Sequence, residues 1–138
     1  MRNGNVLVVE DDDAIRRLLI ECLKSHELVN VAGARDGVEA LHLIVTSQYA
    51  VMILDVMMPK MSGIDVLDSL HALTSDPSVK TLYDPPAVLV ITSAGRTSLP
   101  DDAIAQRCPR VVQRVFRKPL DIHELAACVE GYLRVGQA

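Results

Sequence analysis

Five short apolar runs, each followed by a break or by a segment with helical spacing, constrain this chain more than any other feature. "VLVV" (Val6 to Val9), "LVNVA" (Leu28 to Ala32), "AVMIL" (Ala50 to Leu54), "AVLVI" (Ala87 to Ile91) and "VVQRVF" (Val111 to Phe116) read as strands, the second the weakest. Continuous apolar strands without polar alternation are buried on both faces, which implies a parallel sheet covered by helices. The intervening segments have the helical period. From Asp13, the residues Ile15, Leu18, Leu19, Cys22 and Leu23 share one face, with Asp12 or Asp13 as the cap. From about Gly37, the inner face is expected to carry Val38, Leu41, Ile44 and Val45. "GIDVLDSLHAL" aligns Ile64, Leu67, Leu70 and Leu73.

The stretch from Thr74 to Pro86 holds three prolines and reads as a loop long enough to contain a short turn. A short helix is expected from about Pro100 to Arg107. The last helix opens at "DIHEL", where Asp121 and Glu124 have the spacing of a capping box. Its inner stripe is Ile122, Leu125, Ala126, Val129, Tyr132 and Leu133. The result is one α/β domain of five βα units over the 138 residues, with a core from about residue 5 to 134.

Composition excludes several classes. A net charge of -4 exerts no general pull on nucleic acid or acidic membranes. No apolar run has the length of a membrane span and the start lacks a signal-peptide core, so a cytoplasmic location is expected. Cys22, Cys108 and Cys128 are odd in number and widely spaced, which argues for reduced thiols rather than disulfides or zinc. His26, His42, His71 and His123 form no ligand pattern and are expected to face solvent, and Arg16 and Arg17 read as surface charges on the first helix, where they could help a partner dock.

Parallel sheets place their sites outside the carboxyl ends of the strands. Here those ends carry Glu10-Asp11-Asp12, Asp55, Thr92-Ser93 and Lys118-Pro119. Crowded carboxylates repel unless a cation offsets them, and oxygen-only ligands suit a hard ion such as Mg2+. A metal beside a free carboxylate, a hydroxyl and an ammonium group is a layout for phosphoryl transfer, with Asp55 as nucleophile. Each residue alone has a plainer reading, as a cap, a turn residue or a surface charge; the combination carries the weight.

"VLVVEDDDAIRRLL", "MILDVMMPKMSGIDVL", "VLVITSAG" and "VFRKPLD", in this order and spacing, resemble the receiver domains of two-component response regulators. The resemblance implies a flavodoxin-like, doubly wound five-stranded parallel sheet of order 2-1-3-4-5 flanked by five helices. It implies that Asp55 is the phosphoacceptor for a histidine kinase or phosphotransfer protein. Asp11 and Asp55 would hold Mg2+ directly, Glu10 through a water, and Met57 by its carbonyl. Thr92 would be the switch hydroxyl and Lys118 the lysine of the site, with a cis Lys118-Pro119 bond. Gly63 would ease the turn into the third helix.

One position departs from the family. Val115 stands where an aromatic often swings inward, and Phe116 should point to the other face. The region "AQRCPRVVQRV" lacks the family's Gly-Ala-type turn, so the output face is expected to be atypical. The expected output is a changed protein–protein surface toward a downstream protein or effector domain, with phosphorylation-linked homodimerisation as a family variant. No direct nucleic-acid or membrane contact and no turnover of external substrate are expected. The chain would be a stand-alone regulator or a receiver excised from a longer protein.

Competing classes are weaker. An Asp-nucleophile phosphohydrolase resembles its relatives in a second Asp two residues on, where Met57 stands here. A dinucleotide-binding module needs a glycine-rich turn after the first strand, where acids stand. A phosphate-independent interaction domain on the same fold is the main alternative.

Overall fold

A computed structural model describes residues 4–26, 30–58, 61–80, 84–93 and 100–137. The strands are β1 (Asn5–Val9), β2 (Asn30–Ala34), β3 (Val51–Asp55), β4 (Ala87–Ser93) and β5 (Val112–Lys118). They form one parallel sheet of order β2-β1-β3-β4-β5. Helices α1 (Asp13–Lys24), α2 (Gly37–Thr46), α3 (Gly63–Ser75) and α6 (Ile122–Gln137) cover it, with short α4 (Pro77–Lys80) and α5 (Asp101–Ala105). The chain order reverses between β1 and β3, which opens the crevice at their carboxyl ends.

Burial explains the run pattern. Every residue of β3 is buried, and four of the five in β1. Leu7, Val9, Met52, Leu54, Val88 and Val90 face α2 and α3. Val6, Val8, Ile53, Leu89, Ile91 and Phe116 face α1 and α6. The edge strands read weakly because each has neighbours on one side only. β2 is "NVAGA", with one buried residue, and begins later than expected; positions 28 and 29 lie outside the described residues.

Several helical details differ from expectation. Val38 and Val45 are 60% and 56% exposed, and the inner face of α2 is Gly37, Ala40 and Ile44. Leu18 is 53% exposed, so α1 buries Leu19 and Leu23 alone. Periodicity marks an apolar stripe but not its centre, and a shift of one position turns a residue by 100°. α3 continues through Thr74, whose hydroxyl donates to the Leu70 carbonyl at 2.8 Å and is buried by doing so. It starts at a capping box between Ser62 and Asp65. At α6, Asp121 accepts from the His123 and Glu124 amides, but the Glu124 carboxylate turns away to pair with Arg114. His26, just past the end of α1, pairs with Glu130 of α6 and is partly buried rather than facing solvent. The three cysteines are free.

Candidate functional site

Glu10 directly follows β1, Asp55 ends β3, and both residues are 98% buried. Asp11 follows on the exposed side. These three side chains offer oxygens that all lie within 4.8 Å of one another. Lys118, at the end of β5, places its ammonium nitrogen 3.6 Å from Glu10 Oε1 and 3.8 Å from Asp55 Oδ2. The Lys118-Pro119 peptide is cis.

Thr92 is fully buried, one residue past Ile91, the register partner of Asp55. Glu10 Oε1 and Thr92 Oγ1 are buried without a hydrogen-bond partner. Buried polar atoms rarely go unpaired, and two of them at the carboxyl edge of one sheet, after β1 and in β4, mark a place for a polar guest. The donor set fits a hard divalent cation: three carboxylates, no nitrogen or sulfur ligand, and one buried oxygen lacking a donor.

The residue types, the sheet edge and the order of the motifs all converge on one family. The family model of the response regulator receiver domain matches residues 6–130. The chain belongs to this family. This receiver domain is 31% identical over 134 residues to an uncharacterized transcriptional regulatory protein, YkoG, of Bacillus subtilis, covering 97% of the chain and 53% of the relative. It is 32% identical to the response regulator MprA of Mycobacterium sp. strain KMS, covering 94% of the chain and 50% of the relative. The chain thus spans about half the length of the curated relatives it matches. Its fold superimposes on the receiver domain of a Francisella response regulator with a TM-score of 0.78 at 27% identity, covering 97% of this chain and 99% of the other. Response regulator TrrA of Thermotoga maritima, solved in complex with Mg2+-BeF, matches with a TM-score of 0.71 at 25% identity, covering 96% and 99%. Receiver domains are signalling domains, and no described helix is long and apolar enough to cross a membrane.

The receiver's acidic cluster is electrostatically strained by its own charges. Burial, then hydrogen bonding to and repulsion by Asp55, push the Glu10 carboxyl from 4.5 up to about 7. Partial burial and its Glu10 neighbour raise Asp11 as well. The folded state therefore holds the Glu10 proton more tightly than the unfolded chain. That contribution is fully present below about pH 4.5 and is lost as pH rises through about 7. Its size is on the order of a few kcal/mol. Without divalent cations, wild type should lose stability between pH 4.5 and 7 relative to Glu10→Gln; thermal melts across that range read the difference, and parallel curves would refute it.

The structure also supplies contacts that the residue pattern did not reveal. The Met57 amide donates to Asp55 Oδ1 at 3.1 Å, so Met57 touches the carboxylate through its N–H. Gly63 is needed for close approach rather than for its backbone angles: a Cβ there would lie 2.4 Å from the Asp55 carbonyl oxygen and 2.8 Å from Val56 Cα. The Gly63 amide donates to the Val56 carbonyl, so α3 starts directly against the end of β3. Positions 59 and 60 of "MMPKMSG" and the stretch 94–99 after Ser93 lie outside the described residues.

Val115 is half-buried against the α2 and α3 side, while Phe116 packs on the α1 and α6 side beneath the Arg114 guanidinium, 4.5 Å from its ring centre. Arg117 pairs with Asp101 of α5 at 2.6 Å. A cleft of about 220 Å³ opens beside Glu10 and Lys118, and Ile15, Leu18, Pro119, Leu120 and Ile122 line it.

Proposed function

We propose that this receiver takes a phosphoryl group from the phosphohistidine of a histidine kinase or phosphotransfer protein onto Asp55. The observation that carries the reading is the buried Asp55 carboxylate clustered with Glu10 and Asp11, with the Lys118 ammonium within 3.8 Å of both Asp55 and Glu10. An Asp55 carboxylate oxygen forms the bond to phosphorus as the P–N bond to the donor imidazole breaks, and the leaving imidazole takes up a proton. Met57 N–H orients the carboxylate through its other oxygen. Lys118 offsets charge on the arriving oxygens, and the Thr92 hydroxyl, unpaired at rest, donates to one of them. Glu10, Asp11, Asp55 and the Met57 carbonyl would hold Mg2+, which when bound supplies neutralisation of the carboxylates and of the transferring group.

The apolar rim of Ile15, Leu18 and Leu120 beside the carboxylates is where the donor protein's surface would pack. Met57 offers no acid two residues after Asp55, so turnover of external substrate is not expected, and hydrolysis of the aspartyl phosphate returns the domain to rest. Output passes through a changed protein–protein surface to an effector, whether a separate protein, a further domain or a second copy. Val115 in place of an aromatic leaves Thr92 and the Arg117–Asp101 pair as the polar link toward α5. The domain's place would be the cytoplasm, where such kinases present their phosphohistidine.

Intact-protein mass spectrometry after incubation with acetyl phosphate tests the reading. One phosphoryl increment that requires Mg2+ is expected. No increment, where a control receiver is labelled and beryllium fluoride also fails to bind, would overturn it in favour of a phosphate-independent interaction domain.

A further inference from the structure

Arg16 has the sequence position of a surface charge on α1, but only 16% of its side chain is exposed. Its Nη1 donates to the main-chain carbonyl of Glu10 at 2.8 Å, and its Nη2 pairs with Asp13. The aliphatic stem runs over β2 at Gly33, where a Cβ would stand 3.2 Å from the Arg16 Cδ. On the opposite side, the Glu10 amide donates to the Ala34 carbonyl at 3.1 Å. Glu10 is thus gripped at both its main-chain polar groups, by β2 through its N–H and by α1 through its C=O.

The Glu10 carbonyl belongs to the peptide that joins Glu10 to Asp11. Rotation of that peptide would swing the two carboxylates relative to each other and to Asp55. Three carboxylate oxygens within 4.8 Å repel, so an ungripped turn would relax by splaying. We infer that Arg16 is a positioning residue for the acidic pair, holding the Glu10-Asp11 peptide so that both carboxylates face Asp55 before the cation arrives. Asp13 holds the other arm of the guanidinium and offsets its charge. The inference rests on the reading of Glu10, Asp11 and Asp55 as a Mg2+ site.

The sign of the effect separates positioning from charge. By Coulomb's law alone, a guanidinium near the site repels Mg2+, and removing it would tighten binding. Positioning predicts the reverse. Calorimetric Mg2+ titration of wild type, Arg16→Met, Arg16→Lys and Asp13→Asn is the test. Arg16→Met keeps the stem over Gly33 and loses the donors; its Mg2+ Kd should rise about tenfold, the value of one charge-assisted hydrogen bond. Arg16→Lys should recover part of this, since an ammonium can reach one acceptor but not both. Asp13→Asn should stay within about twofold of wild type, because the contact to the Glu10 carbonyl remains. In acetyl phosphate labelling, half-saturating Mg2+ should rise by the same factor while the rate at saturating Mg2+ stays nearly constant.

Arg16→Met binding Mg2+ as tightly as wild type, or more tightly, would overturn the inference and leave the site reading intact. If Arg16→Met does not fold, Arg16→Lys decides: about threefold weaker Mg2+ binding supports the role, and equal or tighter binding ends it. A wild type that binds no Mg2+ would overturn both.

Discussion

Asp55→Asn should abolish phosphoryl labelling by acetyl phosphate at any Mg2+ concentration, and it should do so in a protein that melts higher than wild type when divalent cations are absent. The loss is chemical: an amide oxygen at this position cannot form the acyl phosphate. The gain is electrostatic. Asp55 is 98% buried and pushes the Glu10 carboxyl up. Replacing it by a neutral isostere removes a like-charge contact in a place where water cannot screen it, and although Lys118 loses its Asp55 partner at 3.8 Å it keeps Glu10 at 3.6 Å. The Met57 amide keeps its acceptor, since Asn retains a side-chain oxygen. A gain on the order of 1 kcal/mol, or a few degrees in Tm, is expected near pH 8. Added Mg2+ should stabilise wild type more than the variant, because only wild type has the full carboxylate set. Labelling of Asp55→Asn at the wild-type level would reassign the acceptor.

Gly63→Ala should be the most damaging small substitution near the site. The new Cβ would meet three main-chain atoms, the Asp55 carbonyl oxygen at 2.4 Å, Val56 Cα at 2.8 Å and the Asp55 carbonyl carbon at 3.0 Å, so no side-chain rotation relieves it. Either α3 retreats or the end of β3 moves. Retreat would break the Gly63 N–H to Val56 carbonyl bond and unpack Val66, Leu67 and Leu70 from the core. Overpacking of this kind costs about 1–3 kcal/mol, or up to roughly 10 °C in Tm for a domain of this length. Movement of β3 would misplace Asp55, and an error of about 1 Å at a reacting group costs about a hundredfold in rate. The variant should therefore label about a hundredfold more slowly even well below its Tm. Gly131→Ala is the control: it lies in α6 with nothing within 4 Å of the new methyl and should stabilise by roughly 0.5–1 kcal/mol. Wild-type melting and labelling of Gly63→Ala would refute the close-approach argument.

Much of this molecule was legible from residue order. β1, β3 and β4 announce themselves because a strand buried on both faces must be apolar at every position. The candidate site was legible for a related reason: a parallel sheet delivers all its strand ends to one edge, so Glu10, Asp55, Thr92 and Lys118 had to be neighbours once the strands were named. Edge strands are a different matter. β2 touches one neighbouring strand and carries a glycine that makes room for Arg16, and its boundaries followed from pairing with β1 rather than from its own residues.

What only the tertiary structure decided was how backbone groups and long side chains meet across elements. Val38 and Val45 face outward because α2 docks through Gly37 and Ala40, whose small size lets the helix approach closely. Met57 reaches Asp55 by its amide, Gly63 is required by a neighbour 2.4 Å away, and Arg16 turns inward to a carbonyl six residues back. A sequence specifies side-chain chemistry and its period; it does not display main-chain donors and acceptors, which every residue carries alike, and these acquire partners only when the chain has packed.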